Sequence, residues 1–247
     1  MGEICTIICG APCQKFPKNL CEGFVIAADK GLDYALSAGV LPDLAVGDFD
    51  SAENAAPSGV EVMKFPPEKD DSDALIAAKM ALERGFDELR FLCALGGRLD
   101  HTFANLQMLY NLKKRGVSAE LFGDFEQAFF LENETREIPK FSGYLSVFAW
   151  EKSAVISEIG VKYPTEKLLF TNDFPLGVSN EIVQNSAKIT AHSGTALLVG
   201  IDLSSQKSRC YAINAGFNNC CIDERNEQNG KKTWLRADAL AAQQPER

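Results

Sequence analysis

Short apolar runs that each end at a glycine or an aspartate recur through the first half of the chain, and they limit its possible folds most. These runs, each with the residue that ends it, are 4–9 with Gly10, 24–28 with Asp29, and 44–46 with Gly47. Continuous apolar runs of this length are typical of strands buried on both faces of a parallel sheet. Residues 71–84 and 101–115 instead carry apolar side chains at helical spacing. Strands that alternate with helices predict a mostly parallel sheet with flanking helices.

The second half of the chain has a different pattern, in which short strand-like runs follow one another without helical spacing. The runs are 127–131, 144–150, 154–159, 167–170, 188–192 and 196–201. We interpret them as a C-terminal β-sandwich, with Ser193-Gly194 as a hairpin turn between the last two runs. The fold class expected is therefore α/β plus all-β. The predicted domains are an α/β catalytic domain (1–123), a β-sandwich domain (124–203) and an irregular C-terminal tail (204–247), in which Cys220-Cys221 receives no role.

The overall charge argues against several classes of partner. The formal net charge is −9, and no run of Lys and Arg forms a basic stripe, so nucleic-acid binding is not expected. No segment has about 18 consecutive apolar residues, so no membrane span is expected. The first residues resemble a strand more than a signal peptide, and we expect a cytoplasmic protein. The sequence contains neither the phosphate loop Gly-x4-Gly-Lys-Ser/Thr nor the dinucleotide-binding motif Gly-x-Gly-x-x-Gly.

Asp48 and Asp50 flank a single Phe directly after the third apolar run. Residues two apart in a strand point to the same face, so both carboxylates can lie at the carboxyl end of the strand. Ligands of open α/β sheets usually bind there. Mg²⁺ is commonly held by one or two carboxylates together with substrate phosphates, although a pair of this kind also occurs in surface turns. We therefore expect a magnesium–phosphate site at this edge.

A second acidic cluster, Asp70-Asp71-Ser72-Asp73, precedes the first long helix. Aspartate is favoured at the cap and in the first turn of a helix, and this preference alone is one explanation of the cluster. Three aspartates in four residues exceed what capping needs. The excess negative charge is unfavourable without a cation, which again indicates a metal or phosphate site.

The segment Gly96-Gly-Arg-Leu-Asp-His101 follows another apolar run. Two glycines let the backbone approach a ligand closely, and Arg98 can bind phosphate oxygens through its guanidinium fork. Asp100 can cap the following helix and also reach a metal or a substrate hydroxyl. In the second half, Gly177-Val-Ser-Asn180 is either a turn or a polar edge that recognises a heterocycle.

The order of these motifs resembles the thiamine pyrophosphokinase family over roughly residues 5 to 200. The matching segments are 28–31, 42–43, 47–51, 69–73, 96–101 with Asn105, and 177–180. The resemblance implies Mg²⁺-dependent transfer of the pyrophosphoryl group of ATP to the thiamine hydroxyl, with release of AMP. It also implies a homodimer that binds thiamine where the subunits meet. Ser72 stands where the family commonly has Thr, and residues 168–175 lack a Trp that many relatives carry.

The resemblance also implies a role for each matching residue. The metal ligands would be Asp48, Asp50, Asp71 and Asp73, and the nucleotide-binding residues Asp29, Lys69, Asp70 and Asp73. The thiamine-binding residues would be Arg98, Asp100, Ser179 and Asn180. Either Asp100 or Asp73 would accept the hydroxyl proton. Three alternatives remain open: the same transfer to another small alcohol, a metal-dependent phosphohydrolase, and a non-catalytic binding module.

Overall fold

The apolar runs of the first half form a parallel sheet. The computed structural model describes residues 3–48, 56–65 and 71–204. The parallel strands are β1 (Ile4–Ile8), β2 (Phe24–Ala28), β3 (Leu44–Gly47), β4 (Glu61–Lys64), β5 (Glu88–Leu92) and β6 (Ser118–Phe122). They lie in the order β4-β3-β2-β1-β5-β6. The chain therefore adds strands on one side of β1 and then returns to continue on the other side.

Helices cover both faces of this sheet, because its central strands carry apolar side chains on both sides. They are α1 (Gly31–Ser37), α2 (Asp73–Glu83) and α3 (Leu99–Lys114). Ile26 of β2 packs with α2 and α3 on one face, whereas its neighbour Ala27 packs with α1 on the other. Successive strand residues point to opposite faces, so an apolar run is what such a two-sided strand needs.

The strand-like runs of the second half build a β-sandwich. Its strands are β7 (Glu126–Glu132), β8 (Thr135–Pro139), β9 (Gly143–Ala149), β10 (Ser153–Ile159), β11 (Thr165–Thr171), β12 (Gly177–Asn180), β13 (Ser186–Ser193) and β14 (Thr195–Asp202). Four of them continue the first sheet past β6 in the order β7-β14-β9-β12, and the others form a second sheet, β11-β10-β13-β8. Apolar side chains such as Val147, Ile156 and Leu198 fill the space between the two sheets. The predicted fold class is confirmed.

Three local predictions differ from the structure. The sequence pattern did not indicate β8 or β12 as strands. The apolar run 89–95 was expected to be one strand, but β5 ends at Leu92 because Cys93 takes a φ of 53°. The hairpin predicted at Ser193-Gly194 is wrong, since β13 and β14 lie in different sheets. A Cβ on Gly194 would lie 2.3 Å from the carbonyl oxygen of Ser153, so this tight turn passes the chain between the two sheets.

The described residues belong to one compact unit, and β6 pairs with β7 across the predicted boundary at residues 123 and 124. The domain boundaries therefore stay a prediction. Residues 205–247 of the predicted tail, with Cys220-Cys221, lie outside the described residues. Within the described ranges, each helix is too short or too polar to cross a membrane.

Candidate functional site

The strand order reverses between β1 and β5, and the loops that follow these two strands meet at their carboxyl ends. The backbone N–H of Ala11 donates to the carbonyl of Cys93 at 3.0 Å. A Cβ on Gly97 would lie 2.5 Å from Cδ of Pro12, so the loop after β5 packs directly on the loop after β1. Open α/β sheets bind ligands at such a reversal.

The loops after β2 and β3 lie next to each other at the same edge. The N–H of Asp29 donates to the carbonyl of Val46 at 2.8 Å. Asp48 comes two residues after Val46 in the chain. A Cβ on Gly47, whose φ is 151°, would lie only 3.1 Å from Cα of Asp29. Asp29 itself has a φ of 47°, and its Oδ1 atom is inaccessible to solvent. Glycine at position 47 thus allows the two acidic loops to approach closely.

Helix α2 begins at this edge, and Ser72 caps it. The Ser72 hydroxyl accepts a hydrogen bond from the N–H of Leu75 at 3.3 Å. Ser72 is the cap because it holds the extended N-cap conformation that places its oxygen over the first turn, and Asp73 lies within that turn. Asp71 forms an ion pair with Lys79 at 2.5 Å.

Asp73 is the first residue of α2 and lies near the end of β1. Burial, and to a smaller extent the charge of Asp73, raise the pKa of Cys9 to about 12. Cys9 directly follows β1, so the Asp73 carboxylate is close enough to influence this thiol. The start of α2 therefore lies near the loop after β1.

Helix α3 carries Arg98 and Asp100 at its N-terminus. It begins at Leu99, so Arg98 is the cap residue and Asp100 lies in the first turn. The possibility that Asp100 caps the helix is therefore wrong. Its carboxylate pairs with the guanidinium of Arg98, from Nε to Oδ1 at 3.1 Å and from Nη2 to Oδ2 at 2.6 Å. Arg98 thereby holds the pKa of Asp100 below its usual range.

The Arg98–Asp100 pair is exposed, but the loop that carries it is fixed to α3. The two side chains are 71% and 64% exposed, so both are accessible to a ligand. Asn105 of α3 donates to the carbonyl of Ala94 at 2.7 Å, and the N–H of Gly96 donates to the Thr102 hydroxyl at 3.2 Å. We call the loops at this sheet edge, with Asp29, Asp48, Asp73, Arg98 and Asp100, the acidic edge.

Ser179 and Asn180 lie far from the acidic edge, on the edge strand β12. Ser179 is exposed, has a φ of 59°, and donates its N–H to the Ser146 hydroxyl at 3.0 Å. Asn180 is 5% exposed, and its amide is engaged in hydrogen bonds within the chain. Five strands separate β12 from β1 in the sheet, which corresponds to about 30 Å.

Three predicted site residues, Asp50, Lys69 and Asp70, lie outside the described residues. Among the residues that are described, no three His, Cys, Asp or Glu side chains converge closely enough to hold a metal ion by themselves.

Sequence reasoning missed the loop from Gly10 to Pro12 and the buried Glu158. Glu158 shares the inward face of its strand with Ala154 and Ile156, and that alternation was the available signal.

The sheet, its acidic edge and the attached sandwich define an α/β protein with the chemistry expected of phosphoryl-group transfer. Residues 20–121 match the family model described as thiamin pyrophosphokinase, catalytic domain. The chain is 28% identical over 185 residues to the thiamine pyrophosphokinase of Bacillus subtilis, which covers 70% of this chain and 85% of that protein.

Two solved structures share the fold. The thiamine pyrophosphokinase structure from Bacillus subtilis matches with a TM-score of 0.74 and 26% identity, over 81% of this chain and 99% of that chain. The thiamin pyrophosphokinase structure from Geobacillus thermodenitrificans matches with a TM-score of 0.71 and 27% identity, over 82% and 99%. The chain is thus similar to thiamin pyrophosphokinases in the sequence of residues 20–121 and in its fold.

Proposed function

We propose that this chain transfers the pyrophosphoryl group of ATP to the hydroxyl of thiamine, which yields thiamine diphosphate and AMP. The observation that carries this proposal is the acidic edge, where Asp48, Asp73 and the Arg98–Asp100 pair occupy neighbouring loops at the strand reversal. Residues 20–121, which include this edge, are similar to the catalytic domain of thiamin pyrophosphokinases. Transfers of this kind are catalysed mainly by positioning and by neutralising phosphate charge.

Magnesium is the cofactor that the donor set of the acidic edge fits. We propose Asp48, Asp50, Asp71 and Asp73 as its ligands. Mg²⁺ prefers oxygen donors and commonly takes one or two carboxylates, with the remaining positions filled by phosphate and water. A closed set of three protein ligands is therefore not required. The ion, when bound, would neutralise phosphate charge, and Asp71 would have to leave Lys79 in order to contribute.

The nucleotide phosphates would lie over the loops after β1, β2 and β5. Asp29, Lys69, Asp70 and Asp73 are the proposed nucleotide contacts, and Arg98 offers a guanidinium to the phosphate oxygens. The exposed position of Arg98 leaves it accessible to a phosphate group. Binding of phosphate to Arg98 would weaken its pair with Asp100, because both anions compete for the same N–H donors.

The thiamine hydroxyl attacks the β-phosphorus in line with the departing AMP, and a carboxylate takes its proton. Asp100 and Asp73 are both proposed for this step. The ion pair keeps Asp100 ionised but weakens it as a base, since Arg98 lowers its pKa. A phosphate that draws Arg98 away would make Asp100 a stronger base at the moment when both substrates are bound.

A homodimer is proposed for a geometric reason. Ser179 and Asn180 are the proposed thiamine contacts, yet they lie about 30 Å along the sheet from the acidic edge of the same chain. One thiamine molecule is too small to bridge that distance. The β12 edge of one subunit would therefore complete the site at the acidic edge of the other. We further propose that this dimer is cytoplasmic.

The test measures AMP formation by the purified chain with ATP and Mg²⁺, with and without thiamine. A thiamine-dependent rise in AMP that EDTA abolishes supports the proposed function. Release of phosphate without thiamine would indicate a phosphohydrolase. AMP formation with another small alcohol but not with thiamine would indicate a different acceptor, and tight binding without turnover would indicate a binding module.

A further inference from the structure

Glu158 is a carboxylate inside the β-sandwich, where charged groups are costly. It is 2% exposed, and it points inward from β10 together with Ala154 and Ile156. A buried carboxylate is tolerated only where hydrogen-bond donors compensate for the lost water. Glu158 belongs to the sandwich and not to the acidic edge, so the proposed chemistry does not explain it.

Two donors face this carboxyl group. The Asn180 amide nitrogen donates to Oε1 at 3.5 Å, and the Thr165 hydroxyl lies 3.4 Å from Oε2. The Thr165 hydroxyl also lies 3.5 Å from the carbonyl of Ile156 and can share its proton between the two acceptors. Burial raises the pKa of Glu158 to about 7 in spite of both donors.

The orientation of the Asn180 amide follows from its other partners. The backbone N–H groups of Tyr163 and Glu181 both donate to Oδ1 at 3.0 Å, and only an oxygen can accept from them. The amide nitrogen must therefore face the opposite side, where it donates to the carbonyl of Tyr163 at 3.0 Å and to Glu158. We call Glu158, Thr165, Asn180 and the Tyr163 backbone the Asn180 network.

The network fixes a strained part of β12. Ser179 has a φ of 59°, which is unfavourable for a residue other than glycine and persists only where its neighbours determine it. On one side, the N–H of Ser179 donates to the Ser146 hydroxyl. On the other side, the next residue is Asn180, which the network holds against the loop that carries Tyr163.

We propose that Glu158 is a positioning residue for the thiamine-binding edge. Its carboxyl group accepts the second N–H of the Asn180 amide and so fixes the conformation of Ser179 and Tyr163 at that edge. Ser179 is exposed and Tyr163 is 49% exposed, so both are accessible to a ligand, whereas Glu158 is not. This inference depends on the proposed function, because it assigns the edge to thiamine.

The test compares Glu158→Met with Glu158→Gln. Methionine has a similar length and is apolar, so it removes the acceptor without the cost of burying a charge. Glutamine can keep the network, since its oxygen accepts from Asn180 and its nitrogen donates to the Thr165 hydroxyl, whose proton then goes to Ile156. The matched controls are Glu166→Met and Glu166→Gln, at an exposed position on β11.

We expect Glu158→Met to raise the KM for thiamine about tenfold, the upper end of the loss expected for one hydrogen bond. The KM for ATP and kcat should stay within about twofold, and the melting temperature should not fall. Glu158→Gln and both controls should keep all three constants within about twofold of the unchanged chain. A purely structural role would instead lower kcat through loss of folded enzyme and leave both KM values unchanged.

A thiamine KM within twofold in folded Glu158→Met overturns the positioning role while the proposed function stands. Absence of thiamine-dependent AMP formation in the unchanged chain overturns both. If Glu158→Met does not fold, Glu158→Asp replaces it, because the shorter side chain withdraws the acceptor from Asn180. A tenfold higher KM for thiamine in Glu158→Asp then supports the inference, and an unchanged KM overturns it.

Discussion

The acidic edge and the β12 edge are two regions proposed to bind substrate, and they use their polar groups in opposite ways. At the acidic edge, Arg98 and Asp100 are exposed and pair with each other in a short loop. At the β12 edge, Asn180 is buried and hydrogen-bonded to neighbouring segments of the same chain. The first region offers charged side chains directly to a ligand, whereas the second uses buried side chains to fix the backbone that a ligand contacts. Substitutions should therefore affect chemistry in the first region and affinity in the second.

The largest effect should come from Asp100→Asn. Asparagine preserves the size of the side chain but cannot accept the hydroxyl proton, so kcat should fall at least about a hundredfold with the fold intact. The measurement is thiamine-dependent AMP formation, with circular dichroism to verify folding. Near-normal turnover would remove Asp100 from the mechanism and leave Asp73 as the proposed base.

Gly97→Ala should lower activity less, through the backbone of the acidic edge. The new Cβ would lie 2.5 Å from Cδ of Pro12. The backbone of the alanine would also have to adopt a φ of 68°. We expect kcat/KM to fall about tenfold, because Arg98 follows directly and small misplacements of catalytic groups are costly. The free energy of unfolding should fall by about 1–3 kcal/mol.

Gly96→Ala is the matched control for this clash. Gly96 also has a positive φ, of 94°, but its Cβ would meet nothing within 4 Å. Both variants therefore carry backbone strain, and only Gly97→Ala displaces the loop after β1. Equal losses of kcat/KM in the two variants would show that the contact with Pro12 does not matter.

A smaller effect, on pH dependence, is expected from Arg98→Gln. Arg98 lowers the pKa of Asp100, so the unchanged chain keeps this carboxylate ionised to a lower pH. Without the guanidinium, the pKa of Asp100 rises towards its ordinary value, and the acidic limb of the kcat/KM profile should move to higher pH. Arg115→Gln, which removes a cation at the opposite end of α3, is the control. A limb that stays in place would show that Asp100 does not control it.

Sequence patterns predicted the strands and the acidic edge because both depend on local order. Apolar runs specify two-sided strands, and parallel strands place all their carboxyl ends at one edge, so Asp29, Asp48 and the α3 N-terminus follow from topology alone. The Asn180 network was not predictable in this way. It joins β10, β11 and β12 through pairs such as Glu158 and Asn180, which lie 22 residues apart, and a single sequence does not show such a pairing.

The last prediction concerns stability in the buried region, where turnover should not change. Folding raises the pKa of Glu158 from the ordinary 4.5 to about 7, so the folded chain retains a proton that the unfolded chain releases between these values. The free energy of unfolding contributed by this group must therefore fall as the pH rises from about 4.5 to about 7, and stay constant above that range.

Glu158→Gln removes the titration. Its stability relative to the unchanged chain should increase between pH 5 and pH 8 by at most about 3 kcal/mol. Urea unfolding at both pH values measures this change, with Glu166→Gln as the control for loss of one carboxylate. A difference that does not vary with pH would show that Glu158 is not kept protonated by burial, and the contrast between the two edges would then rest on geometry alone.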